Sequence, residues 1–294
     1  MNRSVLTYIL IIGIAGTAGT TTGIIGKSIF GQEVIDYTGF NPEEFRADGA
    51  ALLQQYNQNP NGKYSAAELV AIGLEKYRSC ENSYSIGIGL ASTVVAQTIR
   101  NYQIKNGDRY FEESISKSDM VGVANRAIQD GKDGDITLYL GKPTSAEVAN
   151  FPENGKVYTK EDYKNYLGKT LDEMFIYLIS NNSVLADGTE VKKSSDKIEV
   201  TLNLNPDIAT YYYKIQMKNI SNLDRLPSFK YLKHTYTFDK NMMLKHALVD
   251  EEYSASMGIT VNIHNTINYS YYANEYMEIP EYNIPLNYSL KGEN

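Results

Sequence analysis

The sequence predicts an α+β fold built from antiparallel strands and a few helices, preceded by an N-terminal hydrophobic segment. Two observations predict it. Helical and strand patterns occupy separate blocks, in the order helix, meander, two or three helices, second meander, whereas a doubly wound sheet would alternate them. Strands within a block are joined by short turn signals, which favours hairpins. The length of 294 residues is sufficient for one well-packed domain.

Charge and composition exclude several classes of function. Lys and Arg number 28 against 35 Asp and Glu, giving a net charge of -7, which argues against a general nucleic-acid binder. One Cys excludes an intramolecular disulfide framework and a Cys-rich zinc site. Three His give little material for a metal cage, so no cofactor is expected.

Residues 1–30 are expected to be a signal peptide or a membrane anchor. No charged residue occurs between Ser4 and Gly26, and Arg3 precedes this run. The run is long enough to span a bilayer, and its most apolar part has the length of a signal-peptide core. Cleavage and retention both place the rest of the chain outside the cytoplasm, with the N-terminus inside. A Gly-rich buried helix is the third alternative.

Residues 31–63 lack a clear period and are expected to form a linker with one short helix around Pro42–Tyr56. A single α+β domain is expected over residues 64–290. Ser65 and Glu68 have the spacing of a capping box, in which each side chain bonds the other residue's backbone N–H. A helix is therefore predicted to begin there.

The first meander is predicted from the dipeptide Asn106-Gly107, since both residues tolerate positive φ at the centre of a two-residue hairpin loop. The predicted strands of this meander are Val94–Lys105, Asp108–Ser118, Val121–Ile128 and Ile136–Leu140.

Two helices are predicted in the middle of the chain. Thr159 as N-cap and Gly168 as stop indicate a short one. Thr170 and Glu173 form a second capping box, and the residues behind it have amphipathic spacing, namely Leu171, Met174, Phe175, Leu178 and Ile179.

A further hairpin is predicted at Asp187-Gly188, which would place Val184 opposite Val191. A strand over Lys197–Leu204 follows. Asn205-Pro206 then resembles an N-cap followed by Pro at the first helical position, so a helix is predicted to about Ile220. Its inward residues are expected to be Ile208, Tyr211, Tyr212 and Ile215.

The last third is predicted to be strands, with Asp239–Asn241 as a three-residue loop and Asn241 in the left-handed conformation. This register places His234 directly opposite His246, close enough to share a metal ion. A third ligand is not evident, so an ordinary polar pair is the preferred interpretation and the two histidines are only a weak candidate metal site.

Three segments have a resemblance to a known family. A helix ending LEKYRS precedes strands around KNGDRYFEES, and later the chain contains HTYTFDKNMMLKHALVDEEY. In element order and turns, Ser65–Tyr272 resembles the LolA/LppX-like extracytoplasmic lipoprotein-carrier fold. The resemblance implies a strongly curved antiparallel β-sheet, a half-barrel, with helices on its concave side. It also implies a carrier rather than an enzyme, and it supplies no motif from which site residues can be transferred.

The leading functional hypothesis is an extracytoplasmic, membrane-associated binding protein that holds a lipid or lipidated partner between helices and sheet. The residues expected to line that space are Ile208, Tyr211, Tyr212, Ile215, Leu171 and Phe175. Alternatives are a cell-envelope interaction or structural module and an envelope hydrolase. A hollow space beneath helix 206–220 favours the carrier, and a packed one favours the interaction module.

Motifs for enzyme chemistry are weak. Ser114 and Ser194 each begin a Ser-x-x-Lys match, but the Lys-Thr-Gly element that accompanies this motif in acylating enzymes is absent. The acidic turn DGKDGD lacks the ligand spacing of a calcium loop. The sequence therefore predicts a protein that is not an enzyme.

Overall fold

The computed structural model describes residues 39–92, 96–119, 122–221, 223–256 and 260–280. The N-terminal hydrophobic segment lies outside these residues, so its assignment as signal peptide or anchor stays a prediction. In the part of the chain that is described, no helix combines the length and apolar character needed to cross a bilayer.

The elements follow the predicted block order. A 3-10 helix (Pro42–Phe45), α1 (Gly49–Gln58) and α2 (Ala66–Arg78) come first. The first meander comprises β1 (Asn82–Ser92), β2 (Gln97–Asn106), β3 (Arg109–Lys117), β4 (Gly122–Asp130), β5 (Ile136–Pro143), β6 (Ala149–Asn150) and β7 (Lys156–Tyr158). The remaining elements are α3 (Lys160–Leu167), β8 (Val184–Lys193), β9 (Lys197–Leu204), α4 (Pro206–Ala209), α5 (Tyr211–Ser221), β10 (Ser228–Asp239), β11 (Leu244–Ser256) and β12 (Thr260–Ala273).

Both meanders belong to one open, curved antiparallel sheet. Its strand order is β6-β5-β4-β3-β2-β1-β12-β11-β10-β9-β8, with β7 paired to β5. The first and last strands of the domain meet at its centre, from Ser83 opposite Ala273 to Ser92 opposite His264. The predicted antiparallel sheet with few helices is therefore confirmed.

Helix α2 packs against one face of the second meander and buries Val70, Ile72 and Tyr77. A Cβ on Gly73 would overlap the ring of Phe238 on β10, so the glycine permits the close approach of helix and sheet. Helix α1, within the segment expected to be a linker, packs Leu52 and other side chains against this same core.

Local signals at the helix ends are confirmed. Ser65 Oγ accepts from Glu68 N at 3.1 Å, and Glu68 Oε2 accepts from Ser65 N at 2.8 Å, completing the capping box. Thr159 caps α3, which ends at Gly168 with φ +75°. The first hairpin forms one residue later than predicted, because Asn106 pairs with Arg109 and the loop is Gly107-Asp108.

The amphipathic helix predicted over 170–179 is wrong. Thr170 N does donate to Glu173 Oε2 at 3.0 Å, but the chain then turns through Met174 at φ +54° and continues without helix. Its amides bond to other segments, as in Leu178 N to Ala209 O at 3.0 Å. A helix buries one stripe, whereas nearly every side chain here is buried, namely Leu171, Met174, Ile176, Tyr177, Leu178 and Ile179.

The hairpin predicted at Asp187-Gly188 is also wrong. β8 is one strand that pairs with β9, with Val184 opposite Leu204 and Val191 opposite Val200. The turn residues instead occupy a bulge between Leu185 and Glu190. β9 supplies a continuous pairing partner, so the positive φ of Gly188 bends the strand without reversing it.

The predicted pairing of His234 with His246 is wrong as well. Phe238 pairs with Leu244, so the loop is five residues long, and His246 faces Thr237 while His234 faces Val249. Asp239 Oδ1 accepts from Asn241 N at 2.8 Å and Met243 N at 3.0 Å, which stabilises this wider loop. Met242, at φ +60°, takes the left-handed conformation that was expected of Asn241.

Candidate functional site

The space expected to be hollow, beneath helix 206–220, is packed with side chains. The helix is interrupted at Thr210, so it comprises α4 and α5. The interruption shifts the helical phase, and the buried apolar residues are Ala209, Tyr213, Met217 and Ile220. The residues predicted to face inward are only partly buried, namely Ile208, Tyr211, Tyr212 and Ile215.

Tyr213 occupies the position where a ligand was expected. Its ring is fully buried and lies 5.5 Å from both Tyr177 and Phe229, measured between ring centroids. Leu171, another predicted ligand contact, is buried in a separate apolar cluster with Tyr163 and Leu167. The predicted contact residues are therefore dispersed rather than gathered around one cavity.

Phe175 does line an open space, which we call the cleft. The cleft has a volume of about 360 Å³ and lies between the start of α1, the outer side of α2 and residues 173–179. Its apolar lining is Ala47, Ala50, Ala71, Leu74, Phe175, Tyr177 and Ile179, and its charged lining is Arg46, Asp48, Glu75, Arg78 and Glu173. Ligand pockets span roughly 300–1,000 Å³, so this is room for a small molecule.

The acidic groups of the cleft already have partners. Arg78 donates to both oxygens of Glu75, at 2.7 and 2.8 Å, and this hydrogen bonding raises the pKa of Arg78. Lys164 pairs with Glu173 at 2.6 Å. Burial acts to raise the pKa of Glu173, but its bonds to Lys164 and the backbone outweigh burial and lower it. Asp48 accepts from Ala51 N at 3.0 Å and caps α1.

Arg46 is held more loosely at one end of the cleft. Its Nε lies 3.4 Å from Glu43 Oε2, and its Cζ lies 5.7 Å from the centroid of the Tyr212 ring. Glu43 is engaged elsewhere too, since its Oε1 accepts from Tyr212 OH at 2.9 Å. Arg46 Nε and Nη2 are buried, and neither has a hydrogen-bond acceptor among the described residues. The guanidinium therefore has unused donor capacity.

A buried carboxyl group lies beneath the cleft. Glu251 is fully buried, and its Oε2 accepts from the hydroxyl of Tyr177, a cleft residue, at 3.1 Å. Its Oε1 accepts from Tyr213 OH at 3.3 Å and from Asn265 Nδ2 at 3.1 Å. Burial raises the pKa of Glu251 to about 7, and these hydrogen bonds from neutral groups only partly oppose it.

His234 lies against the other side of Tyr177, with ring centroids 4.5 Å apart and planes perpendicular. Its Nδ1 is 2.9 Å from Tyr236 OH, and its buried Nε2 has no partner in the described structure. Burial lowers the pKa of His234 to about 3, so the ring is neutral at physiological pH. No group of three or more metal-ligating side chains occurs within the described ranges.

A second buried polar group fixes the cleft wall from below. Gln103 Nε2 donates to Met174 O at 3.1 Å and to Glu112 Oε1 at 2.6 Å. Glu112 in turn forms a buried ion pair with Lys169. These contacts hold the chain just before Phe175, where Met174 has the unfavourable positive φ. The apolar wall is thus attached to the sheet by buried polar bonds.

Sequence reasoning missed Arg46 and Glu251. Strand alternation supplied a usable signal, since Val249, Glu251 and Tyr253 share the buried face of β11. No sequence signal pointed to Arg46, because only folding brings it beside α2.

The two serines of the Ser-x-x-Lys matches lie apart from the cleft. Ser114 is buried and donates to Asn101 Oδ1 at 2.5 Å, and Ser194 is bonded within an exposed turn.

No protein-family model matches the chain, and a search of curated proteins returns no match.

Proposed function

We propose that this chain is a non-enzymatic binding protein that holds a small apolar or amphipathic ligand in the cleft. The observation that supports it best is the cleft itself. It joins an apolar wall from α2 and residues 173–179 to a rim of charged side chains, the usual composition of a small-molecule site. The bond from Gln103 Nε2 to Met174 O attaches that wall to the sheet, which supports a preformed site.

We further propose that the sheet is a half-barrel with helices on its concave side, as the LolA/LppX-like resemblance implies. The N-terminal segment then places the domain outside the cytoplasm, attached to the membrane or released by cleavage. Within this proposal the ligand lies between α1 and α2. The expected place beneath α5 is occupied by Tyr213, and a volume of about 360 Å³ suits a small molecule better than a whole lipid.

The second candidate is an envelope interaction or structural module. It is favoured by the packed core around Tyr213, and by Ile88 and Leu90, which are exposed on β1. An interaction module needs no small ligand, so a binding experiment separates the two candidates.

The test uses a neutral fluorescent probe, 1-N-phenylnaphthylamine, and the full chain. Ala50→Phe places a large side chain at the exposed rim of the cleft, and Ala186→Phe makes the same change at an exposed site on β8. We expect probe binding to the natural chain and to Ala186→Phe, with at least about tenfold weaker binding to Ala50→Phe, the equivalent of 1.4 kcal/mol.

Absence of probe binding by the natural chain would refute the proposal. Equal binding by the two variants would place the probe outside the cleft and refute it too, provided that both variants show the circular dichroism of the natural chain.

A further inference from the structure

We propose that the ligand of the cleft is a carboxylate with a short hydrocarbon or aromatic body, bound with its anionic group at Arg46. This inference rests on the proposed function and specifies its ligand class.

The two glutamates of the cleft have cationic partners, whereas two guanidinium nitrogens of Arg46 have no acceptor among the described residues. Both oxygens of Glu75 accept from Arg78. Glu173 accepts from Lys164 at 2.6 Å and from Thr170 N at 3.0 Å. A cationic ligand at either glutamate would compete with one of these charge-assisted bonds, which are stronger than neutral hydrogen bonds. Asp48 is exposed to solvent and uses one oxygen to cap α1.

Arg46 is the charged group that lacks its full set of bonds. Two of its three guanidinium nitrogens, Nε and Nη2, are buried without an acceptor in the described structure, and Nε meets Glu43 only at 3.4 Å. A buried donor without an acceptor is unfavourable, and guanidinium binds a carboxylate through two parallel bonds. The Arg46 side chain keeps 28% of its surface exposed, so an anionic group at this end of the cleft can reach the guanidinium, and a small rotation of the side chain would give its buried nitrogens an acceptor.

The surroundings of Arg46 suit this arrangement. Tyr212 lies beside the guanidinium, and the Lys164 ammonium lies 5.9 Å from the same ring.

The rest of the cleft determines the body of the ligand. Leu74, Phe175 and Ile179 form a wall that offers no charge to a second polar group. A volume of about 360 Å³ is near the lower end for ligand sites, which excludes a two-chain lipid and leaves a short chain or a single ring.

The experiment measures binding of octanoate, octanol, octylammonium and acetate by displacement of the same neutral probe. We expect octanoate to bind about tenfold more tightly than octanol, octylammonium more weakly than either, and acetate not measurably. Arg46→Gln should lower the affinity for octanoate to that for octanol and leave the affinity for octanol unchanged. Arg46→Lys should retain part of the preference, since it keeps the charge and loses the two-bond geometry.

Arg109→Gln is the matched control, because Arg109 is an exposed, ion-paired arginine on β3, and it should retain the full preference. Octanol binding equal to that of octanoate, or a preference that survives Arg46→Gln, would overturn the carboxylate assignment and leave the proposed function standing. Failure of every octyl compound to displace the probe from the natural chain would overturn both.

Discussion

Glu251 lies on β11 between Val249 and Tyr253, so strand alternation places a carboxyl group in the apolar interior. Two tyrosine hydroxyls and Asn265 bond to it, and none of these groups carries a charge. Neutral hydrogen bonds offset only part of the cost of burying a carboxylate, which is why burial raises its pKa to about 7. The residue therefore gains a proton in a pH range where carboxyl groups are ordinarily ionised.

Glu251→Gln should stabilise the protein at alkaline pH. Below about pH 4.5 the carboxyl is protonated in both the folded and the unfolded chain, and it makes no pH-dependent contribution. As pH rises to about 7, the unfolded chain releases the proton while the folded chain retains it, so the natural protein loses stability. The free energy of unfolding of the variant, relative to the natural chain, should rise by about 3 kcal/mol between pH 4 and pH 8.

Urea unfolding at both pH values measures this difference. Glu252→Gln, which removes an ion-paired carboxylate from the same strand, is the control. The variant must be compared with the natural chain at each pH, because His234 makes stability depend on pH in the opposite direction. Burial lowers the pKa of His234 to about 3, so His234 reduces the stability of the fold as pH falls below about 6.5. A pH-independent difference for Glu251→Gln would show that the carboxyl is not buried as described.

In residues 170–179 the capping pattern was predicted correctly, but the helix expected to follow it does not form. The bond from Thr170 N to Glu173 forms as the capping pattern predicts, but burial on several sides and anchoring by Gln103 prevent a helix beyond it. By contrast, α2 and α3 were predicted from their caps, because Ser65, Glu68 and Thr159 act within a single turn. Local chemistry was therefore predictable, and conformations set by distant partners were not.

Lys169→Met tests the anchoring of the cleft wall. It leaves Glu112 buried without a cation, and removal of one partner from a buried ion pair typically costs about 3–5 kcal/mol. Burial raises the pKa of Glu112, so protonation should reduce this cost in acid. We expect a loss of that size in the free energy of urea unfolding at pH 8.

The double variant Lys169→Met/Glu112→Leu is the control, and it should recover most of the lost stability because no unpaired charge remains. An unchanged stability for the single variant would contradict the buried pair. A double variant as unstable as the single one would show that packing, and not charge, is responsible.

At the scale of the whole molecule, the order of blocks predicted antiparallel strands, whereas only the family resemblance implied that both meanders form one sheet. That union depends on β1 and β12, which are far apart in sequence and whose pairing no local pattern specifies. The cleft, too, depends on contacts between segments that are far apart in sequence. Arg46, Leu74 and Phe175 come from three separate segments, so their meeting could not be predicted from any one of them.

Hydrogen–deuterium exchange of the full chain, with and without octanoate, tests the central claim most directly because it locates the bound ligand. We expect slower exchange in residues 46–50, 71–78 and 173–179, which form the cleft, and unchanged exchange in β8. Slower exchange beneath α5 with none at the cleft, or no change anywhere on addition of octanoate, would contradict it.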